Sequence, residues 1–290
     1  MTTTKTRLGR ALASSRLALT AECLPPQGGA AGVKKLLSIL PPKLDAVVVA
    51  DNPGGIHGSA LACAAMLAAE GCPSVLSMVT RDRNRIALES DAQGAAALGV
   101  EAILCLSGDH QSLGACPQAA GVYDIDSIQF TQALKRMMRE GVLPEAPIGA
   151  AAHPYQQPAE LGLLRLRKKI AAGAGVLLTQ AVFDVAGFSQ WMDSVRAAGL
   201  DKQVAIIASV LPLTSVEQAK ELDRRRTYGP VAASVAARMS AAADPAKEGI
   251  AIAVEVAKQI KAIPGVRGIH ILCGGCESAA ATVIQEAGLA

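Results

Sequence analysis

The amino-acid sequence predicts a single (β/α)8 barrel, the TIM-barrel class of α/β fold. Strand-like and helix-like segments alternate eight times along the 290 residues. No linker and no shift in composition divides the chain, so we expect one barrel domain spanning residues 1–290. The competing fold, an open doubly wound sheet, usually carries a G-x-G-x-x-G turn after an early strand, and this chain has none.

Each predicted strand is a short apolar run, the pattern of a strand that is buried on both faces in a parallel sheet. Glycines stop several helices just before the next strand, at Gly71, Gly99, Gly141 and Gly173. The predicted strands are Leu17–Cys23, Ala46–Asp51, Ser74–Val79, Ala102–Gly108, Ile148–His153, Gly175–Val182, Val204–Leu213 and Gly268–Cys273.

Helical segments connect these strands, and a short amphipathic helix within Thr4–Arg16 precedes the first. An insertion before the eighth strand contains Tyr228-Gly-Pro230, an extra alanine-rich helix near Val231–Ala241 and a long helix over Pro245–Ala262. The other predicted helices are Ala31–Leu40, Ser59–Gly71, Asn84–Leu98, Ser127–Glu140, Ala159–Ala172, Val185–Ala198, Ser215–Arg226 and Glu277–Ala287.

Composition excludes several classes of protein. Hydrophobic residues make up 51% of the chain, but no apolar run approaches the roughly 18 residues that a membrane span needs. The basic N-terminus lacks the apolar core of a signal peptide, so we expect a cytoplasmic protein. A net charge of +3 and 2% aromatic residues do not favour nucleic-acid binding. Seven cysteines, an odd number, favour reduced thiols over a disulfide framework.

Polar residues interrupt or end the apolar strands. Active sites of (β/α)8 barrels lie at the carboxyl ends of the strands, so these residues are expected to converge there. A carboxylic acid in such a place has a raised pKa and can donate a proton near neutral pH. The strand-end residues are Glu22, Asp51, Asn52, Ser77, Thr80, Asp109, His110, His153, Gln180, Cys273 and Cys276.

Each of these residues also has an ordinary structural interpretation. Glu22 fits a structural ion pair, Gln180 a satisfied core hydrogen bond, and Asp109 the cap of the turn after Gly108. The basic run Arg165–Lys169 fits a solvated helix face as well as a phosphate contact, and at most two of its side chains can face one ligand.

Taken together, the motifs resemble the methylenetetrahydrofolate reductase family. The chain shares the order of Ala21–Pro26, Leu106–Asp109, Ala151–Pro154, Arg165–Lys169 with Ala172–Ala174, Leu178–Asp184, Val210–Leu213 and Gly265–His270. The resemblance runs from about Leu17 to the last helix, and the motifs are specific only as a set. It implies a flavin-containing (β/α)8 barrel that reduces 5,10-methylenetetrahydrofolate to 5-methyltetrahydrofolate in one-carbon metabolism.

The resemblance also assigns roles to individual residues. Glu22 matches the family's general acid, Asp109 the carboxylate beside the flavin pyrimidine and the pterin, and Gln180 the amide that reads the pterin. The flavin is expected to be FAD, with FMN as the alternative. Its expected contacts are Ser77, Leu106, Ser107, Gly108, Asp109, Tyr123, His153, Lys168 and Lys169, and no metal ligand is implied.

Four positions depart from the family pattern. Ser77 and Gln157 stand where histidines are usual, Gly162 replaces an acidic residue, and Val216 replaces the aromatic that stacks on reduced nicotinamide. These departures leave two electron donors open, namely NAD(P)H and a partner iron–sulfur or flavoprotein subunit as in the anaerobic, acetogen-like branch. We expect an oligomer in either case.

Two alternative functions stay open, and the first comes from the Cys273-Gly-Gly-Cys276 motif, whose thiols also fit a structural role as ordinary core residues. A two-residue spacing suits a redox pair or half of a metal site, so a zinc-dependent thiol methyltransferase on the same fold is one alternative. That interpretation assigns no task to Glu22, Asp109 or Gln180. The other alternative is a flavin-free scaffold subunit of a redox complex, which the missing aromatic at Val216 favours.

Overall fold

A computed structural model describes residues 5–225 and 231–289, and in this part of the chain eight parallel strands form a closed barrel. Neighbours in the barrel are neighbours in sequence, and β8 pairs with β1 to close it. The predicted (β/α)8 fold is therefore confirmed. The strands are β1 (Ala18–Cys23), β2 (Ala46–Val49), β3 (Ser74–Val79), β4 (Ala102–Leu106), β5 (Ile148–Ala152), β6 (Val176–Ala181), β7 (Ala205–Val210) and β8 (Val266–Ile271).

The helices surround the barrel, and two of them, α9 and α10, are extra elements between α8 and β8. Both were predicted, whereas the predicted Tyr228–Pro230 insertion lies outside the described residues. The helices are α1 (Arg7–Ala13), α2 (Gly29–Ile39), α3 (Ala60–Ala69), α4 (Arg85–Ala97), α5 (Ser127–Arg139), α6 (Ala159–Ala172), α7 (Val185–Ala197), α8 (Val216–Arg225), α9 (Ala233–Ala241), α10 (Pro245–Ile260) and α11 (Ala279–Glu286).

Only β3 has the predicted bounds at both ends; the other strands differ by one to three residues at an end, and three of these differences have a clear cause. β4 ends at Leu106 and not at Gly108, because Gly108 has a φ of +80° and leaves the extended conformation. β7 ends at Val210, since the apolar residues that follow it belong to a buried loop. β8 begins at Val266, two residues earlier than predicted, and pairs there with Ile206.

Side-chain caps begin many of the helices, as the sequence pattern requires. Ser59, Asn84 and Asp184 each accept a backbone N–H three residues into their helix. Asp126 and Gln129 form a reciprocal capping box at the start of α5. The start of α5, with Asp126 and Ser127, also reaches the cavity at the carboxyl ends of the strands.

The core has two layers, because successive strand residues point to opposite faces. Val47 and Val49 of β2 pack outward against the helices, whereas Ala46 and Val48 point into the barrel. Helix α1 closes the lower end of the barrel. Its apolar residues Leu8, Ala11 and Leu12 join the inner apolar cluster, and the Arg7 N–H donates to Glu101 Oε2 at 2.8 Å.

Candidate active site

A cavity of about 590 Å³ opens at the carboxyl ends of the strands, and every strand or the loop after it contributes to its wall. Nine of the eleven predicted site residues line it. The other two, Tyr123 and Lys168, lie outside the cavity wall. The nine are Glu22, Ser77, Leu106, Ser107, Gly108, Asp109, His153, Lys169 and Gln180.

Glu22 stands on β1 and faces the cavity among protein atoms. This enclosure raises the pKa of its carboxyl to about 7. The Gly274 N–H acts in the opposite direction by stabilising the carboxylate, and the negative charge of Glu277 raises the pKa further. Glu22 can therefore hold a proton at neutral pH and release it, which is what a general acid requires.

The segment after β4 forms a second wall of the cavity. At Gly108, with φ +80°, a β-carbon would lie 2.4 Å from Val79 Cγ1, so only glycine fits. The Ser107 hydroxyl donates to Ser127 Oγ at 3.0 Å, which fixes this segment to the start of α5. Arg81 Nη1 donates to the Asp109 carbonyl at 3.0 Å, and the Asp109 side chain remains exposed at the cavity.

Helix α6 provides a cationic corner. Arg165 and Lys169 lie one turn apart and both line the cavity, whereas Lys168 is exposed on a different face. The Lys169 ammonium donates to the Ala151 carbonyl at 2.6 Å, and burial together with the charge of Arg165 lowers its pKa to about 8. Enclosure in the cavity and the charges of Lys169 and Arg165 lower the pKa of His153 to about 4.

Polar side chains also line the cavity on β6, β7 and β8. The Gln180 amide is half-buried at the cavity wall and has no hydrogen-bonding partner among the described residues. Ser209 is fully buried, and its hydroxyl is unsatisfied within the described structure. His270 pairs with Ser209 in the β-ladder, and its Nδ1 lies 2.9 Å from Thr20 Oγ1. Burial lowers the pKa of His270 to about 4, so its ring is neutral.

Tyr123 lies outside the cavity wall. It follows Val122, whose N–H donates to the Arg81 carbonyl at 2.7 Å, and its side chain is 41% exposed. Its φ of +43° belongs to the left-handed region, which is uncommon for a tyrosine. The loop after β4 therefore holds Tyr123 near the cavity without turning it into the wall.

The cysteines are free thiols throughout the described residues. Cys273 is buried at the end of β8, and burial raises its pKa well above the ordinary value. Cys276 is half-buried, and its sulfur lies 3.7 Å from Ser278 Oγ. Over residues 5–225 and 231–289, no group of three or more His, Cys, Asp or Glu side chains has the arrangement of a metal site.

Many further residues line the cavity, and three polar ones among them show what sequence reasoning missed: Arg165, Ser209 and Arg81. Arg165 belongs to the basic run, and its spacing of four from Lys169 was the available signal. Ser209 interrupts an apolar strand just as Glu22 does. Arg81 carried no comparable signal, because its place at the cavity depends on its contact with the Asp109 carbonyl.

The fold and the cavity together define a (β/α)8-barrel protein whose candidate site combines a half-buried carboxylic acid, the Gln180 amide and a cationic corner. Residues 7–288 match the model of the family described as methylenetetrahydrofolate reductase. The chain therefore belongs to the methylenetetrahydrofolate reductase family.

Curated relatives agree with this membership. Methylenetetrahydrofolate reductase 2 of Saccharomyces cerevisiae is 27% identical over 172 residues, which are 54% of this chain and 28% of the yeast protein. The 5,10-methylenetetrahydrofolate reductase of Salmonella typhimurium is 28% identical over 189 residues, which are 64% of this chain and 59% of that protein. The matched segments thus span less than two thirds of these relatives' own lengths.

Solved structures share the fold. An uncharacterized protein from Clostridium thermocellum, described as binding two copies of 5-methyl-5,6,7,8-tetrahydrofolic acid, superposes with a TM-score of 0.67 at 14% identity. That match covers 97% of this chain and 98% of the other. A 2,3-dimethylmalate lyase superposes with a TM-score of 0.54 at 17% identity, covering 99% of this chain and 84% of the lyase.

No helix in the described part of the chain is both long enough and apolar enough to cross a lipid bilayer.

Proposed function

We propose that this protein is a flavin-dependent methylenetetrahydrofolate reductase, which reduces 5,10-methylenetetrahydrofolate to 5-methyltetrahydrofolate. The observation that carries the proposal is Glu22, a carboxylic acid with a pKa of about 7 at the wall of a 590 Å³ cavity. Opening the five-membered ring of the substrate requires a proton on its N10 nitrogen. Glu22 is an acid of the right strength to supply that proton at neutral pH.

Gln180 and Asp109 complete the proposed folate site. The free amide of Gln180 offers donors and an acceptor to a pterin, whose edge carries both kinds of group. Ring opening leaves a cationic iminium at N5, and the Asp109 carboxylate is a suitable group to stabilise that charge. Glu22, Asp109 and Gln180 thus have distinct tasks on one substrate.

The cavity also suits a flavin, which we propose is FAD or FMN. Arg165 and Lys169 form a cationic corner fit for a phosphate or diphosphate, and Gly108 lets backbone approach the ligand closely. Bound reduced flavin would supply the hydride that converts the iminium to a methyl group. Ser77, Leu106, Ser107 and His153 stay in this proposal as cavity contacts. Tyr123 and Lys168 remain candidates only for parts of the flavin that extend beyond the cavity wall.

The comparisons support the folate assignment. The relatives in yeast and Salmonella are named as reductases of methylenetetrahydrofolate, and the Clostridium thermocellum neighbour binds a methyltetrahydrofolate. For this chain we infer a folate substrate, a cytoplasmic location and an electron donor that is NAD(P)H or a partner redox protein. Val216, at the start of α8, is half-buried against the core and offers no aromatic ring to a nicotinamide.

The visible spectrum of the purified protein tests the proposal. We expect flavin absorption that dithionite bleaches and methylenetetrahydrofolate restores, with 5-methyltetrahydrofolate as the product. A preparation that is colourless and takes up neither FAD nor FMN would contradict the proposal and favour a scaffold subunit. A colourless preparation that holds zinc would favour the thiol methyltransferase instead. Titration of the dithionite-reduced protein with NAD(P)+ then examines the electron donor.

A further inference from the structure

The turn after β8 lies beside Glu22. The Cys276 N–H donates to the Cys273 carbonyl at 2.7 Å, and the two residues between them, Gly274 and Gly275, have φ values of +55° and +88°. Both conformations favour glycine, so the turn is specified by its sequence. The Gly274 N–H stabilises the Glu22 carboxylate, which links this turn directly to the proposed acid.

Glu277 ends the same turn and joins it to the chain after β1. Its Oε1 accepts the Leu24 N–H at 3.4 Å, two residues beyond Glu22. The Glu277 side chain is half-buried, and within the described residues it makes no ion pair with a lysine, arginine or histidine. Its negative charge is therefore held near Glu22, and no cationic side chain of residues 5–225 or 231–289 pairs with it.

We propose that Glu277 is a positioning residue for Glu22: it joins the two loops that flank Glu22, and its negative charge adds to the enclosure that favours the protonated Glu22 carboxyl. The inference rests on the proposed function for its meaning, because a protonated Glu22 matters only if Glu22 is the acid. Glu277 itself lies outside the cavity wall.

The other titratable groups near Glu22 do not supply this charge. Cys273 is a neutral thiol because burial raises its pKa, and His270 is a neutral imidazole because burial lowers its pKa. Asp51, at the end of β2, is neutralised by Arg83 at 2.7 Å. The remaining charged residues of the cavity wall follow other strands. Arg81 follows β3, Asp109 and Asp126 follow β4, and Arg165 and Lys169 lie on α6 after β5. Strands β4 and β5 are on the far side of the barrel from β1.

The test is a direct titration of Glu22 in the whole protein. Glutamate labelled with 13C at the carboxyl gives one NMR signal per residue, and the Glu22 signal is the one missing from Glu22→Gln. We expect Glu277→Gln to lower the titration midpoint of Glu22 by up to about one pH unit, because a neighbouring like charge is removed while the enclosure of Glu22 remains. In Glu277→Asp, which keeps the charge, the titration midpoint of Glu22 should stay close to that of the wild type. Glu286→Gln, an exposed change at the end of α11, is the matched control and should shift nothing.

The result does not depend on turnover. An unchanged Glu22 midpoint in Glu277→Gln would overturn the inference, even if the protein reduces methylenetetrahydrofolate. If the wild-type protein does not reduce methylenetetrahydrofolate, the proposed function is wrong. The titration midpoint of Glu22 in Glu277→Gln still decides whether Glu277 acts on Glu22. Glu277→Ser provides a second charge-free variant if the glutamine variant does not fold.

Discussion

Gly108 and Val79 are in such close contact that a β-carbon on Gly108 would lie 2.4 Å from Val79 Cγ1. The contact fixes the backbone between Ser107 and Asp109 against β3. We expect Gly108→Ala to lower the free energy of unfolding by about 2 kcal/mol, because it adds a clash to an unfavourable φ. Gly94→Ala in α4, where a β-carbon meets nothing within 4 Å, should raise it by up to about 1 kcal/mol. Urea unfolding of both variants measures the difference, and equal stabilities would contradict the assignment.

Glu22 is expected to act in only one half of the reaction. Glu22→Gln should bind flavin and be reduced at near the wild-type rate, but lose folate reduction by roughly 100-fold or more, since general acids contribute on that scale. In the wild type, folate reduction should fall as pH rises through about 7, because only the protonated carboxyl donates. Stopped-flow absorbance at the flavin band separates the two half-reactions. Loss of both in the variant would refute a role as the acid.

The cationic corner predicts a difference between neighbouring residues of α6. Arg165→Ala and Lys169→Ala should weaken flavin binding about tenfold or more each, because charged hydrogen bonds contribute about 1.5–3 kcal/mol. Lys168→Ala, a change of the same type on another face, should leave the affinity near that of the wild type. Isothermal titration of the flavin-free protein with FAD and FMN measures all three. An affinity more sensitive to Lys168 than to Arg165 would place the diphosphate outside the cavity.

The protonation of His270 and the protonation of Glu22 should make the free energy of unfolding depend on pH in opposite directions. The folded pKa of His270 is about 4, so between pH 5 and 7 the unfolded chain binds more protons there and stability rises with pH. The folded pKa of Glu22 is about 7, so the folded chain binds more protons there and stability falls with pH. Each effect amounts to about 2 kcal/mol over this range.

Two variants separate these opposing effects. His270→Asn should remove the rise of stability with pH, and Glu22→Gln should remove the fall. Urea unfolding at pH 5 and pH 7 gives both slopes. Parallel pH profiles for the wild type and the two variants would show that neither group has the stated protonation in the fold.

The barrel could be predicted because its signals are local. Apolar runs, helix caps and glycine stops each depend on a few neighbouring residues, as in the capping box of Asp126 and Gln129. Glu22 and Gln180 could be singled out for the same reason, since each interrupts an apolar strand. The convergence of these residues on one cavity then followed from the closure of the barrel.

The remaining features depend on contacts between distant segments. The choice of Arg165 over Lys168 is set by the rotation of α6, which buries Gly162 and Leu166 and turns Lys168 outward. The position of Tyr123 depends on the path of a long loop, in which the Val122 N–H donates to the Arg81 carbonyl. The proximity of Glu277 to the end of β1 depends on a hydrogen bond from the Leu24 N–H, a residue 253 positions away in sequence. Spacing indicates that Arg165 and Lys169 share a helix face, but it does not say that this face lies at the cavity, and it gives no information on the Tyr123 loop or on the contact of Glu277 with Leu24.

Helix α1 packs on the apolar side chains inside the barrel and closes the end opposite the cavity. With Leu8, Ala11 and Leu12 filling the lower end, a molecule that reaches Glu22 enters and leaves by the same mouth at the carboxyl ends of the strands. The substrate and the product of the proposed reaction would therefore exchange through one opening. In the described part of the chain, the packing of α1 on the inner apolar side chains shields the acid from bulk water on the opposite side.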